Sequence, residues 1–223
     1  MLFDLAPSLV AALTGFLSGF LLSVPVGPVN VTIINEGARR GLPWALLIGS
    51  GAVVMEVFYC ALAFTGFASL FVGPTMKAAM ELTSFVFMLY LGVRFLSVRA
   101  VPAPGPVEER IKGKLNPHSA FAIGFVRVLA NPGVFLGWVV LAANFISRGW
   151  VEPTWPGKLF CIAGVAGGTG IWFCGLSYAV SRGTGKFTER TLLRMQHVSG
   201  ICMLALAVIQ GVWMVWQMSK HEI

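Results

Sequence analysis

Few side chains in this chain can do chemistry, and the informative ones stand inside apolar runs. Glu56, in "GSGAVVMEVFY", lies about 14 residues into its hydrophobic stretch, so a helix would carry it roughly 21 Å deep. An acid held there costs on the order of 2.5–3.5 kcal/mol on insertion scales, and a carboxyl group kept at that cost serves a partner, a proton path or a substrate. Arg127, in "GFVRVLANPGVF", shares a helical face with Gly124 and Asn131 and is expected about 12 Å deep. It is the obvious counter-ion for Glu56; snorkelling to the interface is the alternative. Asn30 and Asn131 add two amides, Asn131 at a depth similar to Glu56, and Tyr59 shares the face of Gly49, Ala52 and Glu56. Together these groups would hold a zwitterion. The carboxylate would take its amine, and Arg127 or a helix N-terminus its carboxylate.

The same residues border two interruptions in otherwise helical sequence. "LLSVPVGPVN" places Pro25, Gly27 and Pro28 just before Asn30, and "LANPGVF" places Pro132 and Gly133 just after Asn131. Proline removes a backbone donor and crowds the preceding turn. In lipid the freed carbonyls cannot stay bare, so irregular backbone is tolerated only where protein or a water-filled cavity covers it. The two breaks are therefore expected to face inward and line a cavity. A plain proline kink packed on its neighbours is the simpler reading of either break alone.

The rest of the chain must position these groups within a membrane. Of 223 residues, 57% are hydrophobic and only 11% charged, unlike a soluble domain. A span needs roughly 20 apolar residues, and six are predicted, near 9–35, 42–64, 79–98, 119–146, 159–181 and 192–217. They use up most of the chain and leave no room for a soluble catalytic domain. The first residues, "MLFDLAPSLV", lack a basic leader and read as mature sequence. Alternate loops hold eleven Lys and Arg, among them Arg39, Arg40, Arg110, Lys112 and Arg190, against four on the other side: Lys77, Arg148, Lys158 and Lys220. Basic residues stay in the cytoplasm, so both termini are expected on the outer, periplasmic face. The asymmetry explains most of the net charge of +7 and makes a nucleic-acid partner unnecessary. Trp44, Trp150, Trp155, Trp213 and Trp216 fall near span ends, as indoles prefer. Cys60, Cys161, Cys174 and Cys202 form no CxxC pair and read as buried apolar filler. His118, His197 and His221 lie at or near span ends. No metal site and no cofactor are expected. Glu36 is expected to make a solvated pair with Arg39 or Arg40, and Gly164 and Gly168 to mark a close helix crossing.

A Pro-, Gly- and charge-rich loop divides the spans three and three: residues 1–98, a cytoplasmic linker 99–118, and residues 119–223. "GFLLSVPVGPVN" and "GFVRVLANPGVF" repeat a Gly-Phe pair followed by a helix-breaking proline. An odd number of spans per half turns the second copy over. The expected fold is thus an all-α polytopic membrane protein of two inverted three-helix repeats, a plan that transporters use to alternate between two states.

Residues 25–59 resemble the first signature of the LysE (LysE/RhtB) family of small inner-membrane amino-acid exporters, with a Pro-Gly-Pro-like break and an acid in the second span. Residues 124–145 resemble the family's second signature around its Asn-Pro pair. The resemblance implies that Pro25, Gly27 and Pro28 make the first break and Asn131 and Pro132 the second. It also implies that Glu56 occupies the position where the family typically carries aspartate. Arg127 departs from the apolar or small polar residue expected there and points to a more anionic substrate. Export of amino acids or related metabolites, driven by protons, is the implied function.

The expected partners are a small-molecule substrate, protons and membrane lipid, and the glycine-rich faces allow a homodimer. A metal-ion permease or small-solute channel, a membrane-embedded enzyme using Glu56 and Arg127, and an accessory subunit are the rival readings.

Overall fold

The computed structural model describes residues 2–25, 27–66, 74–99, 117–183 and 189–219. Met1, most of the linker with Arg110, Lys112 and Lys114, and the basic residues Lys186 and Lys220 lie outside the described residues. Every regular element among the described residues is helical. They are α1 (Leu2–Ser23), α2 (Pro28–Arg40), α3 (Leu42–Gly66), α4 (Pro74–Leu96), α5 (Pro117–Leu129), α6 (Pro132–Ser147), α7 (Trp155–Arg182) and α8 (Glu189–Ser219).

The breaks follow from proline chemistry. Pro28 and Pro132 each occupy the first turn of a new helix, where the missing N–H would have had no helical acceptor. Gly27 and Asn131 stand before them as non-helical caps, and the axis turns by 71° from α1 to α2 and by 64° from α5 to α6. Between α2 and α3 the chain reverses at Gly41, whose φ of +88° suits a residue without a Cβ.

Leu42–Thr65, Trp155–Arg182 and Leu193–Trp216 are each long and apolar enough to cross a membrane. Each bent pair, taken together, meets the same test, which gives three to five candidate spans among the described residues, consistent with a polytopic membrane protein. The apolar part of α4 is the shorter stretch Phe85–Leu96. Leu13, Leu17, Phe58, Ile209, Val212 and Val215 project outward, as lipid requires, while Trp138, Phe64, Ile33, Ile48 and Met55 fill the interior.

Packing is reciprocal across the chain. The principal partner of α1 is α7, that of α5 is α3, and α4 lies on α8; α3 also meets α7 at the centre. Glycine makes these crossings close. A Cβ at Gly15 would strike the carbonyl of Cys161, and one at Gly164 or Gly168 the carbonyl of Ala12 or Phe16. In the other crossing, Gly51 meets the carbonyl of Phe121 and Gly124 that of Ile48. The segments involved, "FLSGF" at 16–20 and "FAIGF" at 121–125, share one pattern. Gly164 and Gly168 thus serve the close crossing expected of them.

Two expectations need correction. Glu36 is not solvated: α2 turns in to pack on both α3 and α7, which buries Glu36 to 4% exposure with Arg40 Nε 3.0 Å from its Oε2. The cysteines also divide. Cys60 and Cys161 are buried, but Cys174 and Cys202 are exposed, because their positions on α7 and α8 turn away from the interior.

Candidate functional site

The site begins with the carbonyls that the breaks set free. At the first break, Asn30 folds its amide back on the end of α1, donating from Nδ2 to the carbonyls of Ser23 at 2.9 Å and Pro25 at 2.7 Å. Its Oδ1 accepts from Trp172 Nε1 on α7 at 3.2 Å. Both amide protons of Asn30 are therefore engaged in holding the break. Ser23 Oγ donates to the Gly19 carbonyl at 2.8 Å, and Thr32 Oγ1 to that of Pro28 at 2.8 Å. The second break is braced from another helix: Tyr59 on α3 donates to the Leu129 carbonyl at the end of α5 at 2.9 Å. Its ring packs on Phe135. One break is thus tied by its own continuation and the other by a neighbour.

The two breaks open on one cavity of about 830 Å3, within the roughly 300–1,000 Å3 typical of small-molecule sites. Pro25, Gly27, Pro28, Asn30 and Glu56 line it. Arg127, Asn131 and Gly133 line it as well. Tyr59 is not among the lining residues, and the side chain of Pro132 lies outside the described set. The N-termini of α2 and α6 both contribute to the wall through Val29, Asn30 and Gly133, and a first helical turn leaves N–H groups outside the helical ladder. Their dipoles favour negative charge at that place.

Glu56 is 7% exposed, and its Oε2 accepts from Nε1 of the fully buried Trp138 on α6 at 2.5 Å. Arg127 is half-buried on α5, and Asn131 is exposed to the cavity side of its break. An acid and a guanidinium therefore line the same cavity. Among the described residues no three His, Cys, Asp or Glu side chains converge as a metal site would require.

Several lining or bracing residues escape a reading of the sequence. Trp138 and Trp172 were legible in principle, since an indole N–H far from the interface needs an acceptor at depth. Gln196 on α8 also borders the cavity, 6% exposed, with an Oε1 that has no hydrogen-bond partner among the described residues. Arg94 reaches the cavity from α4, over the Tyr90 ring at 6.0 Å, together with Phe87 and Phe95. No signal in a single sequence separates these aromatics from lipid-facing ones.

The profile of the LysE type translocator family matches residues 20–210, which includes both breaks, Glu56 and Arg127. The chain belongs to the LysE type translocator family. It is a transmembrane transport protein of that family and not an enzyme. The translocator is also 27% identical, over 194 residues, to the "Putative amino acid efflux protein YcgF" of Bacillus subtilis (strain 168). That similarity covers 86% of this chain and 91% of the relative. No solved structure matches the chain.

Proposed function

We propose that this translocator exports amino acids or closely related small metabolites across the inner membrane, coupled to proton entry, by alternating access around the cavity between its two breaks. The observation that carries the reading is that one cavity of about 830 Å3 is lined at once by Glu56, Arg127 and both half-helix N-termini. A zwitterion presents one carboxylate and one amine. The N-termini and Arg127 supply what the carboxylate needs, and Glu56 supplies an acceptor for the amine or for a proton. Similarity to a relative whose name denotes amino acid efflux supports the same substrate class.

In this reading the molecule has six spans in two inverted halves, residues 1–98 and 119–223, joined by a cytoplasmic linker at 99–118. The exchange of partners between halves supports it, because α1 on α7 and α5 on α3 are the same contact under a two-fold operation. Basic residues at one set of helix ends, such as Arg39, Arg40, Arg94 and Arg182, support termini on the periplasmic side. Arg94, one of these basic residues, also lines the cavity, which supports substrate entry from the cytoplasmic side.

Glu56 carries the coupling and Arg127 the substrate carboxylate. Asn131 adds a polar contact, while Asn30 and Tyr59 hold the breaks in shape. The test is counterflow in proteoliposomes with labelled amino acids and organic acids under an imposed pH gradient, comparing wild type with Glu56→Gln and Arg127→Gln. Exchange of a zwitterion that is lost in Arg127→Gln, with loss of pH-driven accumulation in Glu56→Gln, is the expected result. A small-solute or metal-ion channel would give flux with no trans-stimulation, and wild-type behaviour of both variants would make the pair structural.

A further inference from the structure

The cavity has a second wall that the carboxylate and amine of a substrate do not use. Phe87, Tyr90, Leu91 and Phe95 line it from α4, and Phe173 lines it from α7. Phe87 is seated closely: Gly137 on α6 lacks a side chain there, and a Cβ would come within 3.3 Å of the Phe87 ring. Aromatic rings at that place offer a large surface for little loss of conformational freedom, and apolar burial there favours an apolar ligand.

Charge narrows the choice further. Arg94 and Arg127 both line the cavity, and two helix N-termini add partial positive charge. Against them stands Glu56, whose Oε2 already accepts from Trp138. A second ammonium group on the ligand would meet Arg94 among the lining side chains, while Glu56, the carboxylate among them, is taken by the substrate's own amine or by a proton. A very small ligand would leave the aromatic wall wet.

We propose that the translocator selects amino acids with large apolar side chains, aromatic or branched, and rejects dibasic ones, with Phe87 and Phe95 on α4 as specificity-determining residues and Arg94 as the group that excludes a second cation. This rests on the amino-acid reading above and adds the side-chain class. The carboxylate lies toward the two breaks, and the side chain lies against α4.

The experiment is counterflow of labelled L-phenylalanine in proteoliposomes of the full chain, with unlabelled L-leucine, L-alanine and L-lysine as competitors. Phenylalanine and leucine should compete roughly tenfold or more better than alanine and lysine, the ratio expected when one large apolar side chain is buried. Phe87→Ala should weaken phenylalanine about tenfold relative to alanine, and Arg94→Gln should improve competition by lysine. Phe87→Leu, which keeps an apolar side chain against Gly137, takes the place of the alanine variant if that variant fails to insert, and should weaken phenylalanine more than leucine. Lysine competing as well as phenylalanine, or Phe87 variants that lower every substrate equally, would overturn the proposal. Counterflow of alanine or lysine without phenylalanine would overturn it too, yet leave amino-acid export standing. Counterflow of no amino acid at all would instead remove the parent reading.

Discussion

At the level of single residues, the polar groups at depth divide into those that hold the backbone and those that face the cavity. Asn30 holds it, through two donated hydrogen bonds to carbonyls at the first break and one accepted from Trp172. Replacement by Leu leaves two buried carbonyls without that donor, at about 1–3 kcal/mol each. Asn30→Leu should therefore lower the thermal midpoint in detergent more than Tyr59→Phe, which strips a donor from the Leu129 carbonyl alone. Trp138 acts on Glu56 directly. Trp138→Phe keeps an aromatic ring in the core but removes the N–H from Glu56, so it should change the pH dependence of transport while reducing stability by only about 1–3 kcal/mol. Transport measured across a series of external pH values, beside a melting curve, separates the two effects. An unchanged pH profile would mean that the indole merely packs.

Among the elements, glycine sets how near the helices lie. Gly168→Ala should drive α1 away from α7, because the new methyl group meets the Phe16 carbonyl, and Gly51→Ala should do the same to α3 and α5 at Phe121. Overpacking of this kind costs about 1–3 kcal/mol or more. Gly175→Ala is the control, with nothing within 4 Å of the added atom, and should behave as wild type in yield and melting point. Much of this level was legible beforehand. Proline at 25, 28 and 132 located the breaks because its chemistry is local, and Gly164 with Gly168 announced a crossing because helical spacing is local too. The identity of the crossing partner was not legible, since nothing near Gly164 names Ala12 or Phe16. For the same reason Glu56 was recognisable as a costly acid, while its donor Trp138, in another helix, was not. Glu36 was misjudged because its neighbours Arg39 and Arg40 suggest an interface, and only the 71° turn after the first break carries it inward.

For the molecule as a whole, the proposed inverted arrangement would put the C-terminus outside the cytoplasm and the linker inside it. A reporter active only outside the cytoplasm should be active when fused after Ile223 and inactive when placed in the 99–118 linker; the reverse pattern would turn the whole topology over. The exchange of partners between the halves reaches into biogenesis as well. Gly15 and Gly164 are separated by about 150 residues, yet each faces the other's helix across the same crossing. At about 5–20 residues per second of synthesis, α1 emerges from the ribosome roughly seven to thirty seconds before the helix it must grip. During that interval its glycine stripe faces lipid or an insertion factor, and α3 waits likewise for α5. Neither half can finish its own packing alone, so a nascent chain truncated before α7 should remain open to membrane proteases, whatever the stability of the completed protein.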